Sequence, residues 1–411
     1  MAQPELNHDA IIEILLRFPP ADPACLIRAA LVCRSWRRIL TDPAFLCRYR
    51  DFHRTAPLLG FLLQRGWHNE LKVSDPCFVP TTAAPSFPRL PPECRDSSLV
   101  DCRHRRVLFQ AFNGDNFLGL DFLVWDPITG GLEKVHKPPI PCLSYSAAVL
   151  CGIAGCDHRN CHGTPFRVLF LGLHYTRGPV HACLYSSETR AWGTPAVPLH
   201  HADIDSWFDF TCGALVKDEL YYCVWGNKIV EYDLGENCLS LIDLPNPNRY
   251  YGSSSSVPMF MEDGSLGYAC TRDSSLCLWS RKVMKPDGVV VGWVQRKAVE
   301  LELEKLVPTL KNKNWYSFRK KKKLVPELIS AAQGVDVVFM AASVGIFMYD
   351  FKSAEARKVG EKFTTQCRDL VPFMSFYTPD YVINEKGRPW KERHIIDRDE
   401  VVAEHFTSLS C

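Results

Sequence analysis

The chain has 411 residues, 46% hydrophobic and 23% charged, with a formal net charge of +2. That hydrophobic share supports a buried core and excludes broad disorder. The near balance of 48 basic and 46 acidic side chains excludes a surface built as a whole for nucleic acid or anionic lipid.

Residues 1–10 lack the basic and apolar regions of a secretory signal. No window reaches the roughly 20 apolar residues of a membrane helix. The most apolar window, Val337 to Tyr349, is interrupted by Ser343 and Gly345 and reads as two strands and a turn. With no Asn-x-Ser/Thr sequon, the expected location is cytoplasmic or nuclear, with no membrane partner. The 18 Cys are then expected to be reduced, and their irregular spacing gives no disulfide framework.

Residues 1–55 read as three to four short helices. Asp9 is placed to cap a first helix whose Ile11, Ile14, Leu15 and Phe18 follow the i, i+3, i+4, i+7 pattern of one apolar face. Pro19-Pro20 stops it. Asp22-Pro23 and Asp42-Pro43 each offer an N-cap acceptor followed by proline at the first helical position. Leu26, Ile27, Ala30 and Leu31 follow the first of these, and Ala44, Phe45, Leu46 and Tyr49 the second. So small a unit carries more apolar side chains than its helices can hide from each other. It is either an interaction module completed by a partner or a cap packed on the larger domain.

The run Leu6-Asn7-His8-Asp9, then Ile12 to Pro19, then Leu31-Val32-Cys33-Arg34-Ser35-Trp36-Arg37, then Leu40-Thr41-Asp42-Pro43-Ala44-Phe45, resembles an F-box. The departures are Asn7 where the family has Pro, which would pre-order the helix entry, and Phe18 for the usual Leu. The resemblance implies binding of a Skp-type adaptor and, through it, a cullin–RING scaffold. It further implies that Leu6, Ile11, Ile14, Leu15, Leu31, Val32 and Trp36 form or support the adaptor face. Trp36 has the alternative role of gluing the helices together.

Residues 56–380 read as strands with turns. An alternating apolar strand ending in an aromatic, then Asp or Ser, then a polar turn and another strand, recurs at Trp125, Tyr185, Tyr232, Trp279 and Tyr349. These anchors stand about 60, 47, 47 and 70 residues apart, against the roughly 40–50 residues of a propeller blade. A further strand precedes several of them, as at 106–109, 166–170, 220–224 and 335–339. Four strands per unit predict an all-β propeller of six or seven blades, with a stacked double sheet as the alternative. The region resembles the F-box-associated propellers common in plants, without the regular signatures of WD40 or kelch units. The charged tail, 381–411, is a candidate for a last closing strand.

No phosphate-binding, zinc-protease or nucleophile-elbow motif is present, so no enzyme activity and no cofactor are expected. Three clusters hold residue types suited to other chemistry. Cys151, Cys156, His158, Cys161 and His162 are metal-ligand types, but their spacing matches no standard finger. A tight turn with buried thiols is the expected reading, with no metal. Arg319 to Lys323 is a candidate nuclear signal, expected to be a solvated loop tip, with nucleic-acid contact disfavoured. His200-His201-Ala202-Asp203-Ile204-Asp205 is expected to be a blade-connecting loop. For capture of an unknown target protein, the aromatic-rich loops at Trp207-Phe208 and Arg249-Tyr250-Tyr251 are speculative candidates.

The expected function is substrate recognition in a Skp–cullin–F-box ubiquitin ligase. The alternative is a propeller interaction scaffold that no longer engages the ligase.

Overall fold

A computed structural model describes residues 7–64, 75–81, 88–113, 116–136, 138, 140, 144–156, 158, 161, 164–173, 178–200, 213–224, 228–245, 256–272, 275–283, 290–301, 326–342, 345–361 and 370–376.

Four helices open the chain: α1 (His8–Leu16), α2 (Pro23–Val32), α3 (Arg34–Leu40) and α4 (Pro43–His53). The first cap is Asn7 and not Asp9: the Asp9 backbone N–H donates to Asn7 Oδ1 at 3.4 Å, and Asp9 lies in the first turn. Asp42 caps α4 as expected, accepting from the Ala44 N–H at 2.8 Å. Asp22 precedes α2 but makes no side-chain cap; its Oδ2 instead accepts from the Cys25 thiol at 3.1 Å. Leu15, Leu26, Leu40, Phe45 and Tyr49 form the core of this unit.

The strands form six sheets arranged as a ring, a six-bladed β-propeller. Blade 1 holds β3 (Ser98–Arg103), β4 (Arg106–Asn113), β5 (Asn116–Trp125) and β6 (Leu132–Val135). Blade 2 holds β7 (Ser144–Cys151), β8 (Phe166–Leu173), β9 (Val180–Ser186) and β10 (Ala191–Trp192). Blade 3 holds β11 (Ala214–Val216), β12 (Glu219–Val224), β13 (Lys228–Asp233) and β14 (Cys238–Asp243). Blade 4 holds β15 (Ser256–Phe260), β16 (Leu266–Arg272), β17 (Ser275–Val283) and β18 (Val290–Glu300). Blade 5 holds β19 (Glu327–Ala331), β20 (Val337–Ala342), β21 (Gly345–Asp350) and β22 (Glu355–Gly360). Every pairing within these blades is antiparallel. The window from Val337 to Tyr349 holds the two expected strands, β20 and β21, and residues 343–344 between them lie outside the described residues.

The sixth blade is assembled from both ends of the ring. Its order is β2 (Cys77–Pro80), β1 (Leu58–Leu63), then β23 (Leu370–Met374). Phe61 pairs with Pro372, and Leu63 with Leu370. Close approach at Gly60 is required here, because a Cβ would meet the Phe78 ring and the Val79 carbonyl at 2.5 Å. The charged tail, 381–411, lies outside the described residues.

The sequence repeat has a double physical cause. All five aromatic anchors lie on the third strand of a blade. Trp125, Tyr185, Tyr232 and Tyr349 are buried in the apolar clusters between blades, and Trp279 packs against such a cluster. The Asp that follows builds the hairpin to the fourth strand. Asp126 Oδ1 accepts from the Ile128 N–H at 2.9 Å, Asp233 Oδ1 from Gly235 at 2.8 Å, and Asp350 Oδ1 from Lys352 at 2.7 Å.

An apolar cluster fills each of the six seams between neighbouring blades. The Phe61 and Phe339 rings, 5.1 Å apart, mark the seam of blades 5 and 6. A seventh cluster joins the two domains: Phe376, just beyond β23, is buried in the helical core with its ring 6.3 Å from Tyr49. Replacing Phe376 with Ala removes this plug at a cost of about 3–5 kcal/mol to the helical unit. Limited proteolysis should then cut near Arg54 much faster, while the near-ultraviolet circular dichroism of the propeller stays unchanged.

Candidate functional site

The helical unit presents apolar side chains that its own core does not use. Ile14 is 43% exposed, Leu31 58% and Val32 66%. Leu31 and Val32 end α2, immediately before Cys33, whose sulfur accepts from the Trp36 N–H at 3.5 Å at the start of α3. Trp36 and Ile11 are half-buried against the helical core, and Leu15 is wholly inside it. Of the seven residues assigned to the adaptor face, Ile14, Leu31 and Val32 are therefore presented to solvent. Leu15 supports them from within, and Leu6 lies outside the described residues. Helical periodicity put Ile14 and Leu15 on one face; burial separates them.

A second site opens on the ring. The turns between the first and second strands of blades 1 to 5 converge, together with the linker Arg54-Thr55-Ala56, on a cavity of about 970 Å³. It is the mouth of the ring on the side of the linker. Its wall carries Arg103, Arg105, Arg167 and Lys217 beside Asp101, Asp218 and Glu262. Arg105 donates to the Phe376 carbonyl at 3.2 Å, which ties the mouth to the interdomain plug.

A buried ion pair holds this rim. Arg103 Nε donates to both Asp101 oxygens, at 3.2 and 3.0 Å. Asp101 also accepts from the Val149 N–H of blade 2 at 3.0 Å, and Arg103 donates to the Gly213 carbonyl at the edge of blade 3. Two side chains thus connect three blades. The run from Asp101 to Arg106, with four cationic or imidazole groups, is the sequence signal for this rim, but no repeat in the sequence marks it as a site.

The third feature lies in the β7–β8 turn at the same mouth. Cys151, Cys156, His158 and Cys161 bring one ligand atom each within 4.8 Å of one another. Cys156 Sγ and Cys161 Sγ are 3.7 Å apart, and Cys161 Sγ is 3.8 Å from His158 Nδ1. The turn depends on left-handed backbone at Gly155 (φ 67°) and His158 (φ 59°). Hydrogen bonds from Cys161, then from His158 and Cys156, draw the Cys151 thiol down against its burial. Cys161 is pushed up, first by its hydrogen bond to Cys151 and then by burial. The His104 ring of blade 1 stands 4.1 Å from His158, and burial with the neighbouring His158, Arg103 and Arg106 charges holds its imidazole well below the usual range. Of the expected buried thiols only Cys161 is fully buried; Cys151 and Cys156 are half-buried and His158 is exposed. His162 lies outside the described residues.

The remaining candidates fall elsewhere. His200 is exposed, and 201–205 lie outside the described residues, as do Trp207, Phe208, Arg249, Tyr250, Tyr251 and the basic run 319–323. Among the described residues no helix is long and apolar enough to cross a membrane.

A family model described as F-box protein AT5G49610-like, beta-propeller matches residues 98–381, more than half of the chain. The chain belongs to this F-box propeller family. An F-box domain model matches residues 4–48, the segment of the four helices. No curated protein shows significant similarity to this chain. The propeller match begins at the first strand of blade 1, so β1 and β2 of the closing blade lie between the two matched regions.

The F-box and propeller meet at a mouth whose rim is tied across three blades by the Asp101–Arg103 pair. Breaking a buried pair strands the other charge, at a cost of about 3–5 kcal/mol. Arg103→Ala should lower the unfolding free energy measured in urea by that amount, whereas Arg48→Ala, which removes a solvent-exposed contact to Glu13, should change it by less than about 1 kcal/mol.

Proposed function

We propose that this chain is the substrate-recognition subunit of a Skp–cullin–F-box ubiquitin ligase. The observation that carries the reading is the exposure of Ile14, Leu31 and Val32 on a helical unit whose own core is already closed. Large apolar side chains left in water beside a filled core suit burial by a partner. Most of the strongly exposed large apolar residues among the described ones belong to this small unit, although the propeller is several times larger. The partner this implies is a Skp-type adaptor, and through it a cullin–RING scaffold.

The propeller holds the target protein. The chain supplies no catalytic group: it raises the effective concentration of a target near ubiquitin activated by other subunits. The compartment is the cytoplasm or the nucleus. Asn7 weakens the scaffold alternative, since its side chain caps α1 and the helix entry is ordered without the family's Pro.

Co-purification with a Skp adaptor tests this reading. Leu31→Glu with Val32→Glu places charge where apolar contact is needed and should cost about 2 kcal/mol or more of binding, a loss of roughly 30-fold or greater. The unfolding midpoint should hardly move, because both side chains are exposed. Leu15→Ala, wholly buried, should lower stability by about 2–5 kcal/mol and is the control for loss of fold. A folded wild-type chain that binds no adaptor overturns the proposal.

A further inference from the structure

The cysteine turn of blade 2 is unused by adaptor binding, and its geometry is that of a metal site. Zinc bonded to thiolate at about 2.3 Å in a tetrahedron spaces its sulfurs about 3.8 Å apart. The separations here are 3.7 Å between Cys156 and Cys161 and 3.8 Å between Cys161 and His158 Nδ1. All four ligand atoms, Cys151 included, lie within 4.8 Å of one another. A disulfide requires sulfurs about 2.05 Å apart, and these three cysteines are free thiols.

We propose that Cys151, Cys156, Cys161 and His158 bind one zinc ion in a closed tetrahedral Cys3His site at the mouth of the propeller.

The donor set selects the metal. Three thiolates and one imidazole suit zinc, whereas magnesium and calcium demand oxygen ligands. Four protein ligands leave no open position for water or substrate, so the ion is structural. Its role follows from where the ligands sit. Cys151 ends β7, the innermost strand of blade 2, while Cys156, His158 and Cys161 belong to the turn that returns to β8. Among the described residues of that turn Cys161 is buried, whereas Ile153 is 43% exposed. Metal ligation holds it in place, with His158 against His104 of blade 1, and so fixes one wall of the 970 Å³ mouth. The sequence spacing, Cys-x4-Cys-x-His-x2-Cys, is unlike a finger because the turn, and not a helix, aligns the ligands: Gly155 and His158 both reverse the backbone at positive φ.

The test uses the full chain, expressed with zinc in the medium, desalted and analysed for metal by mass spectrometry. About one zinc per chain is expected, falling below about 0.1 in the Cys156→Ser, Cys161→Ser double variant. Cys238→Ser, at an exposed thiol on blade 3, should keep its zinc. Since the double variant risks misfolding, the wild-type chain provides a second reading. After removal of metal by a chelator, added cobalt should give the intense visible bands and thiolate charge transfer of a tetrahedral site. Alkylation should reach Cys151, Cys156 and Cys161 only once the chelator is present. A wild-type chain without zinc and without those cobalt bands overturns the proposal. So does a double variant that keeps its zinc, or a Cys156–Cys161 disulfide in the reduced cytosolic preparation.

Discussion

The pairing of Leu58–Leu63 with Leu370–Met374 is the constraint on which the molecule depends. Five blades are each continuous in sequence, but a ring needs its last seam filled. Here the first strand after the helices is completed by the last described strand of the chain. Closing a loop that long costs entropy that grows only slowly with length, and two seams of buried apolar side chains offset it: Phe61 with Phe339 on one side, Leu62 and Val371 with Phe109 and Trp125 on the other. The same closure positions the F-box. Strand β1 follows α4 by a short linker, and Phe376, carried just past β23, enters the helical core. The F-box helices and the ring are thereby joined by packing as well as by the covalent linker.

The mouth of the ring is built from the opposite kind of interaction. Except for the long β7–β8 connection its turns are short, and burial alone does not order them. Asp101 and Arg103 link blades 1, 2 and 3 through hydrogen bonds to backbone groups. In the adjoining turn Cys151, Cys156, His158 and Cys161 bring one ligand-type atom each within 4.8 Å of one another. Apolar seams thus set the ring's overall shape, while directional contacts set the form of the opening next to the F-box.

How legible this was in the sequence follows from how local each cause is. The aromatic-Asp repeat was readable because both of its jobs, filling a seam and turning a hairpin, are done by adjacent residues, as at Tyr232 and Asp233. The F-box was readable for the same reason: its anchors lie within one short segment. The sixth blade was not, because its strands come from the two ends of the ring and show no period; hence the expectation of six or seven blades in place of six. Asp9 precedes the apolar run and is the expected first cap, but the cap lies two residues earlier, at Asn7, whose side chain accepts from the Asp9 N–H. The cysteine ligands were visible as residue types, yet only a turn with two positive φ values brings them together.

In the proposed function a pre-folded F-box, fixed to a closed propeller, offers the exposed ends of its helices to a Skp adaptor. Hydrogen exchange of the full chain with and without that adaptor tests it most directly. Added protection is expected across α1 to α3, strongest around Leu31 to Trp36, with the inner strands of the propeller unchanged. No change in α2 and α3, or protection confined to the propeller mouth, would contradict it.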